Sequence, residues 1–222
     1  MRLVILMLVL GSAGMTAQDA IKTLPDNYKL QFENDYVRVT RVHYAAKAKL
    51  PPHTHTSLAT AYVYLSDSGP VAFKHVGADY GVVTRQPVMA RSFRLYRGVD
   101  EIHEVENLGP IASDFLRVEF KTDPVEPRTL RGKFLPEPFS DATVKVQFEN
   151  AQVKITRLYW PRNKTIQIAD TANPSLLISF TEGSMGNLTW LAKGQHETLS
   201  NTTRPAMEAI RIEFRTAPMP PS

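Results

Sequence analysis

The feature that most constrains this 222-residue chain is an internal repeat. Phe32-Glu33-Asn34, followed by Val37-Arg38-Val39-Thr40-Arg41-Val42, is echoed 116 residues later by Phe148-Glu149-Asn150, followed by Val153-Lys154-Ile155-Thr156-Arg157-Leu158. The closing stretches also match, Leu116-Arg117-Val118-Glu119-Phe120 against Ile210-Arg211-Ile212-Glu213-Phe214, but at an offset of 94. The second copy is therefore shorter by 22 residues somewhere between those ends. Two copies of one structural unit are the simplest explanation.

Each copy reads as β-structure. Residues 28–32, 37–45, 60–66, 71–76, 93–96, 102–107 and 115–121 are rich in Val, Tyr, Phe, Ile and Thr and are bounded by turn residues. Asp67-Ser68-Gly69-Pro70 and Gly77-Ala78-Asp79-Tyr80-Gly81 are turn clusters of this kind. No stretch keeps the i, i+3, i+4, i+7 apolar spacing of a long helix. Short strands at this spacing predict an all-β sandwich or barrel. Residues 122–139, with Pro124, Pro127, Pro136 and Pro138, read as a Pro-rich linker between the copies, and residues 217–222 as a loose tail.

The first seventeen residues stand apart. Arg2, the apolar run from Leu3 to Leu10 and the small residues after it form the pattern of a signal peptide, cleaved after Ala17 or Ala13. Eight apolar residues are far short of the roughly 20 that cross a bilayer, so no membrane span is expected after cleavage. The expected location is secreted or periplasmic. There is no cysteine, so an exported chain must rely on its core rather than on disulfides. Asn163, Asn187 and Asn201 begin glycosylation sequons, which matter only in a eukaryotic secretory route. The net charge of +4 comes from basic residues scattered among acids, with no Lys/Arg block and no phosphate loop, so nucleic acid is set aside as a partner.

Chemistry concentrates in Pro51-Pro52-His53-Thr54-His55. Histidines at i and i+2 point the same way only along an extended backbone, so the pair demands a strand. The prolines fit the start or edge of one. Another histidine stands in His103-Glu104-Val105-Glu106-Asn107. Imidazoles suit iron, zinc, nickel, manganese or copper as ligands.

A repeated all-β unit with His-x-His after a proline-marked turn, and His-x-x-x-Asn some fifty residues on, resembles the cupin superfamily. The resemblance implies two tandem jelly-roll barrels, a bicupin, at 24–121 and 140–216. It also implies a divalent metal in the first barrel, held by His53, His55 and His103. The carboxylate ligand common in that family would fall on Ala59 or Thr60, neither of which ligates well, and the Pro-x-Gly lead-in to the second motif is missing, Gly98 standing five residues before His103. Some cupin dioxygenases hold ferrous iron with three histidines alone. Glu101 shares strand parity with His103 and is the nearby carboxylate that could replace the absent ligand.

Other residues read as structural. His43 is expected in packing, His75 at the surface, Tyr62 and Tyr64 in the core, and Arg41 and Arg157, at matching positions, in a role common to both halves. In the second copy Ala169 and Thr171 stand by offset where His53 and His55 would be, and Glu197 where His103 would be; Asn201 matches Asn107, and His196 should face away. The second barrel is expected to be degenerate and structural. Three functions stay open: a metal-dependent enzyme, a dioxygenase-type oxidoreductase or an isomerase; a binding protein without turnover; and a scaffold without bound metal. The expected partners are a small-molecule ligand or substrate and, at most, a second copy in a homodimer.

Overall fold

The computed structural model describes residues 19–77, 81–168, 172–181, 184–202 and 204–220. The leader at 1–17, together with Ala78, Asp79, Tyr80, Ala169 and Thr171, lies outside them. Among the described residues the regular structure is strand throughout, except for one helical turn, α1 (Ala20–Thr23), and a 3-10 turn at Pro127–Thr129. No helix there is long and apolar enough to cross a membrane.

The first half carries β1 (Tyr28–Glu33), β2 (Val37–Tyr44), β3 (Lys49–Thr54), β4 (Thr60–Tyr64), β5 (Val71–His75), β6 (Val82–Arg85), β7 (Phe93–Tyr96), β8 (Ile102–Asn107), β9 (Ser113–Phe120) and β10 (Gly132–Phe134). The second carries β11 (Thr143–Glu149), β12 (Val153–Pro161), β13 (Lys164–Ile168), β14 (Ser175–Thr181), β15 (Ser184–Leu191), β16 (Glu197–Asn201) and β17 (Ala206–Phe214). A six-stranded sheet in the order β1-β2-β9-β4-β7-β10 and a four-stranded sheet β3-β8-β5-β6 form the first half. A five-stranded sheet β11-β12-β17-β14-β15 and a two-stranded sheet β13-β16 form the second.

These sheets stack as four layers with three apolar seams. Val42, Tyr44, Tyr62, Tyr64 and Phe115 of the six-stranded sheet meet Leu50, Phe73 and Val105 of the four-stranded one. Leu158, Trp160 and Leu177 of the five-stranded sheet cover Ile166 and Ile168 of the two-stranded one. The largest seam lies between the halves, where Val39, Ala61, Val63 and Val118 pack on Ile155, Ile178, Ile210 and Phe214. The two large sheets are thus apolar on both faces, which is why β4 is buried at every position.

The repeat persists in the hydrogen bonds. β1 carries a bulge between Leu30 and Phe32, and β11 carries it between Val146 and Phe148. Asn34 Oδ1 accepts from the amides of Tyr36 and Val37, and Asn150 Oδ1 from those of Gln152 and Val153. Lys121 clasps Glu33 at 2.9 Å, and Arg215 clasps Glu149 at 2.6 Å. Asn107 donates to the carbonyl of Tyr44, and Asn201 to that of Trp160. The family-like asparagine therefore ties down a turn rather than serving a site. Arg41 faces Asp114, and Arg157 ion-pairs with Glu208, the matching carboxylate, so the role common to both arginines is a cross-strand ion pair.

Most of the missing 22 residues are located by the pairing. β7 pairs with β4, as β15 pairs with β14, but β14 and β15 follow one another directly, whereas 28 residues separate β4 from β7. What the second half lacks is the β5–β6 hairpin.

Three expectations are corrected. The 122–139 span is not a free linker: Leu130 is buried, and β10 extends the six-stranded sheet by pairing with β7. The four prolines lie on either side of β10 and not within it, so the strand keeps its N–H groups for the ladder. The tail is tied down at least as far as Met219, whose amide donates to the carbonyl of Lys121 beside a bridge between Thr122 and Pro218. Strand β6 has no counterpart among the expected strands; its Val82, Val83 and Thr84 are exposed, which hides the alternation that marks a half-buried strand.

Candidate metal centre

β3 begins in register with β8, Lys49 opposite Glu106 and Leu50 opposite Val105. The pairing then skips, and His53 stands opposite His103. Pro51 and Pro52 together oppose Glu104, a bulge that the missing proline N–H groups favour. Without it His53 would point away; with it His53 is 1% exposed and turned inward. β13 has no such bulge, so Ile168 faces Glu197. The counterpart of His53 is therefore Ile168 and not Ala169, because a constant offset cannot see a one-residue bulge.

His55 lies just past the end of β3, yet its ring joins the others. Ring centroids are 4.9 Å apart for His53 and His55, 4.8 Å for His53 and His103, and 5.3 Å for His55 and His103. One nitrogen from each ring lies within 4.8 Å of the other two. Nitrogens bound to one ion at about 2.0–2.1 Å would stand roughly 3–3.5 Å apart. The rings are thus within small adjustments of a shared ion, and the three residues can hold one.

Hydrogen bonding prepares His53. His53 Nδ1 donates to the carbonyl of Pro51 at 2.8 Å, which fixes the tautomer and leaves Nε2 with a free lone pair. Tyr28 Oη, 2.9 Å away, must then be the donor to that nitrogen, and Tyr44 Oη donates in turn to Tyr28 at 2.8 Å. His103 has both ring nitrogens buried without a hydrogen-bond partner, Nδ1 lying 3.5 Å from Glu101 Oε1. A buried imidazole nitrogen left without a partner is costly unless something binds there.

Electrostatics keep the rings in the ligating form. Burial, with smaller contributions from His103 and Arg117, pulls His53 down to about 4. Burial and the Arg117 guanidinium hold His55 well below its ordinary value, and burial lowers His103 despite the nearby Glu101. Burial pushes Tyr44 up to about 12 and Tyr28 well above the usual phenol range, so both stay protonated. Glu101 is pushed up by burial, but His103 and His75 outweigh that and hold it below the usual carboxylate range.

Glu101 stands on the far side of His103, joined to His75 Nε2 at 3.2 Å. His75 is a correction: it is not at the surface, since β5 brings it opposite His103 with only 8% of its side chain exposed. His75, Glu101 and His103 also keep ligand atoms within 4.8 Å of one another, so His103 is common to two overlapping sets. His43 is a second correction, because it is neither packed nor in the cavity but exposed at 46% beside Asp114. Gly98, at φ 74°, fixes the approach of this segment: a Cβ there would stand 2.3 Å from Ser57 O, next to the His55 loop.

The centre opens into a cavity of about 350 Å³. Tyr62, expected in the core, lines it with Phe73, Arg85, Arg94 and Arg117, and the sequence pointed to none of the three arginines as a cavity residue. In the second half His196 is exposed, Asn201 is structural, and the hairpin that walls this cavity is missing.

No family model matches this chain, and no curated protein matches it. Solved structures do. YhhW from Escherichia coli is 10% identical with a TM-score of 0.56, covering 87% of this chain and 91% of its own. Vicilin from Capsicum annuum is 8% identical, TM-score 0.54, covering 81% and 76%. A mutant of Bacillus subtilis oxalate decarboxylase is 10% identical, TM-score 0.50, covering 90% and 72%. The chain is thus a member of an all-β class built from packed antiparallel sheets. Its fold is that of the cupin-domain proteins.

Proposed function

We propose that this chain is an exported, metal-binding bicupin, with barrels at 24–121 and 140–216 joined through the docked 122–139 segment. In this reading His53, His55 and His103 hold one divalent transition metal in the first barrel, and a small organic molecule is oxidised in the adjoining cavity by dioxygenase-type chemistry. The observation that carries the proposal is the buried, unpartnered Nε2 of His103 beside two converging imidazoles at the edge of a 350 Å³ cavity. The fold alone does not choose a reaction, since its neighbours include both a vicilin and an oxalate decarboxylase.

When bound, the ion would supply Lewis acidity and open positions for oxygen, water or substrate. The protein supplies the rest. Pro51 and the bulge orient His53, and Glu101 orients His103. Once His53 Nε2 is engaged, the Tyr28 hydroxyl keeps a proton aimed at the centre and Tyr44 holds it in place. The second barrel covers the outer face of the first.

The test is metal analysis of the purified protein beside a His53→Ala/His103→Ala variant, followed by oxygen uptake with the iron-loaded protein. About one equivalent of metal in the first and none in the second supports binding. Equal trace metal in both contradicts it. Metal without oxygen uptake on any organic substrate tried rejects the dioxygenase reading and leaves a binding protein.

A further inference from the structure

Three guanidiniums surround one ring in the cavity. Arg85, Arg94 and Arg117 lie 5.2, 4.8 and 5.8 Å from the Tyr62 centroid, and Arg85 also lies 4.3 Å over Phe73. Arg117 is accounted for by the frame. It pairs with Glu119 at 3.2 Å and donates to Thr56 O, and its counterpart Arg211 pairs with Glu213 at 3.4 Å in the half without a site.

Arg85 and Arg94 differ. Among the described residues neither has a carboxylate within 4.0 Å, and Arg94 Nε is buried without a hydrogen-bond partner. Arg85 donates a hydrogen bond to the Tyr64 hydroxyl, at 3.4 Å. Glu101, the carboxylate on the cavity wall, is engaged by His75. Among the described residues the cavity therefore holds two guanidiniums that form no ion pair. The second half supplies the comparison: β4 faces β7 through Tyr62 and Arg94, while the matching pair in β14 and β15 is Leu177 and Thr189. Arg85 has no counterpart, because it sits on the missing hairpin.

Two such guanidiniums beside aromatic walls form a receptor for a planar anion. Arginine presents its donors in a fork that matches a carboxylate. We infer that the cavity binds a small, flat organic carboxylate, its carboxylate against Arg85 and Arg94 and its apolar body against Tyr62 and Phe73, directed towards the histidine centre. This deepens the proposed function by naming the substrate class, and rests on that reading only for the link to the metal. About 350 Å³ is at the small end of ligand pockets, which suits a molecule the size of a single ring.

The test uses benzoate as probe, with benzamide and inorganic phosphate as controls, in calorimetric titrations of metal-free and metal-loaded full chain. Benzoate should bind both forms and benzamide neither. Arg94→Gln should weaken benzoate at least about tenfold, the worth of a charge-assisted bond. Arg85→Lys, which keeps the charge but loses the fork, guards against a misfolded Arg85→Gln and should weaken benzoate too, while far-ultraviolet circular dichroism confirms the fold. Equal binding of benzamide, phosphate binding without benzoate, or unchanged affinity in Arg94→Gln each overturns the inference. Benzoate binding by a protein that takes up no metal sinks the metal reading and leaves the anion site standing.

Discussion

His53 and His103 stand directly opposite each other across β3 and β8, their rings 4.8 Å apart, because two prolines in one strand oppose one residue in the other. Most of the site depends on that count.

Inserting one alanine between Pro52 and His53 moves His53 one step along the strand, out of its place opposite His103. A one-residue slip sends a strand's inward side chains outward. The variant should unfold cooperatively, since the apolar seams remain, but lose metal affinity by roughly a hundredfold or more, as expected when a ligand is withdrawn. Equilibrium dialysis against zinc measures this; unchanged affinity refutes the role of the bulge.

Glu101 sits behind His103 rather than beside the cluster of three rings. Glu101→Gln should keep one metal per chain while weakening it by about 10–100-fold, the usual effect of losing a carboxylate that orients a ligand. If the carboxylate were itself a ligand, the coordination signature of a cobalt-substituted protein would change along with the affinity; an unchanged cobalt spectrum is expected.

The largest apolar seam joins the halves. A fragment ending at Lys121 would expose Val39, Ala61, Val63 and Val118 to water and lose β10. Exposed apolar faces of this extent drive association. The fragment should aggregate or remain unfolded, as judged by sedimentation and circular dichroism; a soluble, cooperatively folding fragment contradicts the account.

At low pH the clasp between Glu33 and Lys121 is the informative one. Burial alone would raise the Glu33 carboxyl, but Lys121 and Arg38 prevail and hold it below its ordinary value. A depressed carboxylate stabilises the fold above its unfolded pKa near 4.5, and that contribution disappears as pH falls through the folded value. Glu33→Gln should therefore be less stable than the parent at pH 7, with the difference shrinking as pH falls below the ordinary carboxyl value in urea titrations. A difference that stays constant through acid would show that the charge is not what matters.

The sequence carried the repeat, the all-β class and the three histidines, because each is written in local spacing. It did not reveal Arg85, Arg94 or Tyr28 as cavity residues. β4 and its neighbours are apolar on both faces, so alternation could not say which face was the inside. An arginine between Phe93 and Leu95 was the available signal: a charge at one parity of an otherwise apolar strand must face either solvent or a polar cavity. His75 was misread because its partner, Glu101, is 26 residues away, and Ile168 because a bulge breaks the constant offset.

X-ray absorption spectroscopy of the zinc- or iron-loaded protein tests the central claim most directly. Three imidazole nitrogens at about 2.0–2.1 Å, reduced to one in His53→Ala/His103→Ala, are predicted. A first shell of oxygens without imidazole scattering, identical in both proteins, would contradict it.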